Sequence, residues 1–215
     1  MRILAIEFSS ERRSAALLDA AAVRGHAAES GGRTAQPFAL IDRALQQAGM
    51  SRDEIDCLVV GLGPGSYAGI RSAIALAQGW QLARGIRLLG VSSVEAMAHQ
   101  AQAAGVRGLI HLLVDAQRLE FYAASYQLHA ESIQLQTPLR LISMTEADAL
   151  VAKDGAAGDA ALAKRWPQLR LLVPDAAAVG QIALPRTDFM PGEKLQPIYL
   201  RETNFVKAPP PRILA

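Results

Sequence analysis

Ile55-Asp56-Cys57-Leu58-Val59-Val60 runs straight into Gly61-Leu62-Gly63-Pro64-Gly65-Ser66-Tyr67-Ala68-Gly69-Ile70-Arg71. A short apolar run of this kind reads as a strand buried on both faces. The glycines and the proline make a tight turn. Small and apolar residues then continue at helical spacing to about residue 83, and Gly85 stops the helix. Upstream, residues 2–6 are apolar and end at Glu7, and residues 14–19 and 22–29 read as two strands joined by a tight turn. Thr34 reads as an N-cap, with Phe38, Ile41, Leu45 and Ala48 following at helical spacing and Gly49 closing the helix. Residues 87–90 are a short strand, and residues 94–104 an Ala-rich helix.

Three meandering strands, a helix, a buried strand and a helix are the order of a ribonuclease-H-like unit. The pattern then restarts. Residues 108–114 are apolar and end at Asp115, as the first strand ends at Glu7. Residues 120–127 and 132–141 read as strands, 145–152 and 156–165 as helices, 169–173 as a strand, and 175–182 as a last helix capped by Asp175. The expected architecture is α/β, two ribonuclease-H-like lobes with the second degenerate. The expected divisions are residues 1–106, 107–190 and a tail, 191–215, that partly docks back through Pro197-Ile198-Tyr199-Leu200-Arg201.

The 215 residues carry 22 Lys and Arg against 20 Asp and Glu, a net charge of +2, and 51% are hydrophobic but only 5% aromatic. That excludes disorder and points to a core of Ala, Leu, Ile and Val. It shows no dense basic footprint for nucleic acid. No apolar stretch is long enough for a membrane span or a signal peptide, so a cytoplasmic location is expected. The single cysteine, Cys57, excludes an intramolecular disulfide and is expected as a buried, inert thiol.

The loop after residue 60 has two readings. Glycines next to a helix N-terminus suit phosphate, which makes Gly63, Gly65 and Ser66 candidate phosphate-facing residues. Equally, Pro64 and Gly65 can simply turn the chain. Gly63-x-Gly65-x-x-Ala68 fits the dinucleotide fingerprint formally, but it follows the fourth strand and no acid closes the next one. No Gly-Lys-Ser/Thr is present for a P-loop. Pro64 stands where a nucleophile elbow needs glycine.

In the helix after the loop, Gly69, Ala73, Ala77 and Gly79 are small, with Ile70, Ile74 and Gln81 on a neighbouring face. Such a face admits another helix closely, either inside the domain or on a partner burying roughly 800 Å² a side. The candidate interface residues are Phe38, Ile41, Leu45, Ser66, Tyr67, Ile70, Arg71, Ala73, Ile74, Ala77 and Gln81. His26, His99, His111 and His129 are scattered, without metal-ligand spacing, and are expected at the surface or in turns. Glu7 and Asp115 are a weak acid pair, since duplication would set them across one cleft.

Met1-Arg2-Ile3-Leu4-Ala5-Ile6, the loop from Gly63 to Arg71, Gly90-Val91-Ser92-Ser93, Val114-Asp115-Ala116 with Glu120-Phe121-Tyr122, and Pro197-Ile198-Tyr199-Leu200-Arg201 resemble, in order and spacing, the TsaB (YeaZ) family. The resemblance implies the acetate-kinase, Hsp70 and actin-like fold. It implies a noncatalytic partner of the paralogous TsaD in making N6-threonylcarbamoyladenosine at position 37 of tRNAs that read ANN codons. TsaD would bind the first-lobe helices, which alternatively pair two copies of the chain. TsaE, an ATPase, would join the complex, and tRNA would be met mainly through the complex. No metal or cofactor belongs to the chain itself on this reading; ATP or ADP with magnesium belongs to the assembled complex. The chain departs from the family pattern at Glu7-Phe8-Ser9, at Arg33 and at Ala116-Gln117-Arg118-Leu119-Glu120, all on the expected nucleotide cleft. An independent phosphotransferase or ATPase of the same fold, using Glu7, Asp115 and the glycine loop, is the alternative. A peptidase is a weaker one.

Overall fold

The computed structural model describes residues 1–31 and 36–200. Strands β1 (Ile3–Glu7), β2 (Arg12–Asp19), β3 (Ala22–Ser30), β4 (Cys57–Gly61) and β5 (Arg87–Val91) form a sheet in the order β3-β2-β1-β4-β5. β2 is antiparallel to β1 and β3, while β4 and β5 extend the sheet in parallel with β1. Strands β6 (Gly108–Asp115), β7 (Glu120–Leu128), β8 (Ile133–Ser143), β9 (Gly155–Gly158) and β10 (Arg170–Leu171) form a second sheet in the order β10-β9-β6-β7-β8. Taken from the β8 edge, order and strand directions repeat those of the first sheet. The duplicated ribonuclease-H-like lobe is therefore present, and its second copy is worn down to a two-residue β10.

Every residue of β1 and of β4 is buried, because both strands are covered on both faces. On one face Leu4, Ile6, Leu58 and Val60 meet Leu40 and Ile41 of α1 (Pro37–Ala48) and Ile70 and Ala73 of α2 (Tyr67–Arg84). On the other, Ile3, Ala5, Cys57 and Val59 meet Ala176, Val179 and Ala183 of α6 (Ala176–Ala183). Helix α3 (Ser93–Ala103) turns Val94, Met97 and Ala101 onto Ile110 and Leu112 of the second sheet. Helices α4 (Met144–Lys153) and α5 (Ala160–Arg165) close that sheet's outer face, where Trp166 packs edge-on against Phe121 with centroids 5.2 Å apart.

The first sheet's strands end at Val91 and the second's begin at Gly108, but the helices cross between the sheets. α3, from the first division, covers the second sheet, and α6, from the second, covers the first. Residues 156–165 are not one helix. Ala156 and Ala157 pair in parallel with β6 in a buried slot, and the helix opens only at Ala160, with Asp159 accepting from the Leu162 N–H. Alanine favours helix, but the vacancy beside β6 overrides it. Helix α1 opens at Pro37, with Gln36 in the cap position. Thr34 and Arg33 lie outside the described residues, as does the tail beyond Leu200.

One polar clasp joins the halves. The Asp175 carboxylate caps α6 by accepting from the Ala177 N–H at 2.9 Å, and it pairs with Arg12 of β2 at 2.7 Å and with His26 Nε2 of β3 at 2.9 Å. Burial pushes this carboxyl up, but the His26, Ala177 and Arg12 bonds outweigh it and hold it at about 2, below the ordinary 3.8. Its stabilisation is thus full above the ordinary value and is lost as pH falls toward about 2. Asp175→Ala should cost about 2–4 kcal/mol in denaturant unfolding near neutral pH. The loss should vanish in acid; an unchanged unfolding midpoint would contradict the clasp.

Candidate functional site

The end of β1 is where the duplicated fold would place chemistry, and Glu7 is there but sealed. It is fully buried. Its Oε1 accepts from the Ser9 N–H at 2.7 Å and its Oε2 from the Ser93 hydroxyl at 2.7 Å. Ser93 Oγ in turn accepts from the Gly63 N–H at 3.0 Å. A Cβ on Gly61 would stand 1.9 Å from Oε2, so glycine there makes room for the carboxyl. Burial pushes the Glu7 carboxyl above its ordinary value, against the pull of the Ser9 and Ser93 hydrogen bonds.

The glycine loop folds onto the same strand end. A Cβ on Gly65 would lie 2.1 Å from the Ser9 carbonyl oxygen, which accepts from the Ser66 N–H at 2.6 Å. The Gly63 carbonyl accepts from the Ser93 N–H at 2.9 Å. The N–H groups of Gly63 and Ser66 are therefore engaged inside the protein, and the glycines serve close packing on β1. Ser66 also caps α2, its Oγ accepting from the Gly69 N–H at 3.3 Å.

Asp115 sits at the half-exposed end of β6, where its carboxylate accepts from the Gln117 backbone at 2.7 Å and side chain at 3.0 Å. No hydrogen bond or ion pair among the described residues joins it to Glu7. The crevice between the lobes, lined by Ser9, Pro64, Val114 and Asp159, holds about 20 Å³. That is room for one water, whereas small-molecule pockets run to several hundred Å³. That crevice has no room for a nucleotide in this arrangement. Among the described residues no three His, Cys, Asp or Glu side chains are grouped to hold a metal ion.

His111 corrects the expectation of a surface residue. It is 4% exposed on β6, with Nδ1 2.7 Å from Ser125 Oγ and Nε2 3.4 Å from Asp154. The trio has the residue types of a hydrolytic triad. Yet Ser125 is 5% exposed inside the sheet, out of reach of a substrate. His26 belongs to the Asp175 clasp. Cys57 is buried as expected, its thiol pushed up to about 12, chiefly by burial.

The helix face drawn from sequence divides. Ile41, Leu45, Ile70, Ala73, Ile74 and Ala77 are buried in the first lobe's own core and are not a partner surface. The sheet beneath them needs covering, and a small–apolar stripe meets that need first. Gln81 is half-buried, its Oε1 accepting from the Gly192 N–H at 2.7 Å. Phe38, Ser66, Tyr67 and Arg71 do face solvent. Beside them α2 exposes Ala68, Ser72, Ala75, Gly79 and Leu82, the last 91% exposed. A Cβ on Gly79 would meet nothing within 4 Å.

A family model described as TsaD, tRNA N6-adenosine threonylcarbamoyltransferase, matches residues 35–189, well over half of the chain. The chain belongs to the TsaD family. Relatives named TsaB are among those it matches. The TsaB protein of Escherichia coli K12 is 34% identical over 128 residues, 59% of this chain and 55% of that protein. That of Haemophilus influenzae is 33% identical over 106 residues, 47% of this chain and 43% of that one. The matched stretch thus spans about half the length of these curated relatives. A Pseudomonas aeruginosa structure described as similar to peptidase YeaZ superposes with a TM-score of 0.78 at 26% identity, covering 93% of this chain and 99% of that one. A second, described as YeaZ from the same organism, gives 0.77 at 22% identity over the same shares. The YeaZ architecture is therefore that of this chain.

Within that architecture, sequence reading found Glu7 and the loop but not Ser93, whose hydroxyl completes the Glu7 site. A serine at a helix start reads as a cap, and nothing local says that it bonds a residue 86 positions away. The raised Glu7 carboxyl makes a testable sign. The stability it contributes is full below the ordinary glutamate value of 4.5 and is lost as pH rises through its folded value. Glu7→Gln should therefore gain stability relative to the parent as pH rises above the ordinary glutamate value of 4.5. Parallel pH profiles of unfolding free energy would contradict a sealed, desolvated carboxyl.

Proposed function

We propose that this chain is the noncatalytic, TsaB-type subunit that binds TsaD and supports threonylcarbamoyl transfer to adenosine 37 of tRNAs reading ANN codons. The family model and the TsaB-named relatives support the pathway. The observation that carries the subunit role is the outward face of α2. Ala68, Ser72, Ala75 and Gly79 lie open to solvent. Leu82 is exposed beside them. A glycine in mid-helix costs about 1 kcal/mol relative to alanine. Nothing in the lobe requires one at position 79, because its Cβ direction is open. A second helix approaching there would require it.

On this reading TsaD holds the catalytic machinery and most of the tRNA, TsaE joins the pair, and ATP or ADP with magnesium is handled in the assembled complex. In the absence of TsaD the same face pairs two copies of the chain. No helix among the described residues is long and apolar enough to cross a membrane. The proposed setting is the cytoplasm.

In a reconstituted assay with TsaD, TsaE, threonylcarbamoyl donor and tRNA, omitting this protein should abolish or strongly reduce modification. An unchanged rate without it overturns the proposal. Gly79→Ala should raise the stability of the monomeric chain, measured at concentrations too low for pairing, by about 0.5–1 kcal/mol, while a bulky Gly79→Leu should abolish co-elution with TsaD. Wild-type retention of TsaD by the leucine variant would count against this face.

A further inference from the structure

We propose that Arg71 is the anchor cation of the partner-binding face, and that the returning segment 189–200 belongs to that face by presenting Tyr199 against it. The inference rests on the subunit reading above and adds the chemistry of the contact: an acidic side chain on the partner helix, opposite Arg71.

Residues 189–200 run along α2. The Met190 N–H donates to the Leu88 carbonyl at 3.0 Å. Gly192 is gripped from both sides, its carbonyl accepting from Gln78 Nε2 at 2.8 Å and its N–H donating to Gln81 at 2.7 Å. Leu195 is buried in the core beneath α2. The Ile198 N–H then donates to the Leu62 carbonyl at 2.9 Å, which delivers Tyr199 to the start of α2. There its ring stacks on Tyr67, with centroids 5.5 Å apart. The Arg71 guanidinium lies 5.3 Å from the centre of the Tyr67 ring on which Tyr199 stacks. Both rings remain substantially exposed, at 60% and 44%.

The other arginines on and beside α1 and α2 are already matched. Arg43 pairs with Glu29, Arg52 with Asp42 and Arg84 with Asp53. Arg71 alone among the cations of α1 and α2 has no carboxylate within ion-pair distance among the described residues. It lies instead over the Tyr67 ring, which Tyr199 backs, so less side-chain freedom remains to be lost on binding. Exposed Tyr and Arg are the residue types that dominate interface energetics, and a desolvated Arg–carboxylate pair at such a spot adds specificity. The cluster is continuous with Ala68, Ser72 and Leu82, so one partner helix spans both.

The test is titration of the full chain with TsaD, with melting temperatures checked. Arg71→Glu should weaken binding roughly tenfold or more, and Tyr199→Ala severalfold. Arg71→Lys should fall short of wild type, because it keeps the charge but not the planar stack. Arg71→Gln should flatten the salt dependence of the affinity. Leu82→Arg reports on the α2 face alone. If wild type binds and Leu82→Arg weakens it, but Arg71→Glu and Tyr199→Ala stay within about twofold, the anchor is overturned while the subunit reading stands. If wild type does not bind TsaD, the subunit reading itself fails.

Discussion

The close approach of the glycine loop to the end of β1 governs the rest of the molecule. Gly61 leaves space for the Glu7 carboxyl, and Gly65 lies on the Ser9 carbonyl. Ser93 at the start of α3 then bonds Glu7 and Gly63 together. In a two-lobed fold of this order the same strand end is the natural floor of a cleft. Here the Glu7 carboxyl, the Gly63 N–H and the Ser93 hydroxyl are consumed in joining β1, β4 and α3. The junction is rigid because a buried carboxylate with occupied oxygens tolerates little displacement. The cost of burying that carboxylate is offset by the position it gives α2, whose first residues are fixed by the loop.

From this junction the two helix faces acquire different roles. The inward face of α2 covers the first sheet, and the outward face is small, open and flanked by Tyr67, Arg71 and Tyr199. The crossed helices α3 and α6 tie the lobes through apolar contacts and the Asp175 clasp. Each of these two helices thus packs on the sheet of the opposite lobe.

Much of this was legible in the sequence because it depends on local pattern. The buried run into Gly61, the Gly49 and Gly85 helix stops and the restart at residue 108 are periodicity and punctuation, and most of the element order along the chain follows from them. Three things were not legible. Alanine at 156 and 157 favours helix, and only the slot beside β6 makes it a strand. The stripe Ile70, Ala73, Ile74 and Ala77 has the composition of an interface, yet a sheet needing cover gives the same pattern from within. The contacts of Ser93 with Glu7, and of Arg12 and His26 with Asp175, join residues far apart in the chain through ordinary side chains, and no local signal marks them.

Hydrogen exchange on this chain, alone and with TsaD, tests the central claim most directly. The account predicts new protection on the outward turns of α2 and on residues 196–200. It predicts unchanged, already high protection at residues 7–9 and 61–66. Protection gained at the strand ends around Glu7 and Asp115, with α2 unaffected, would contradict it, because the cleft and not the helix face would then be the working surface.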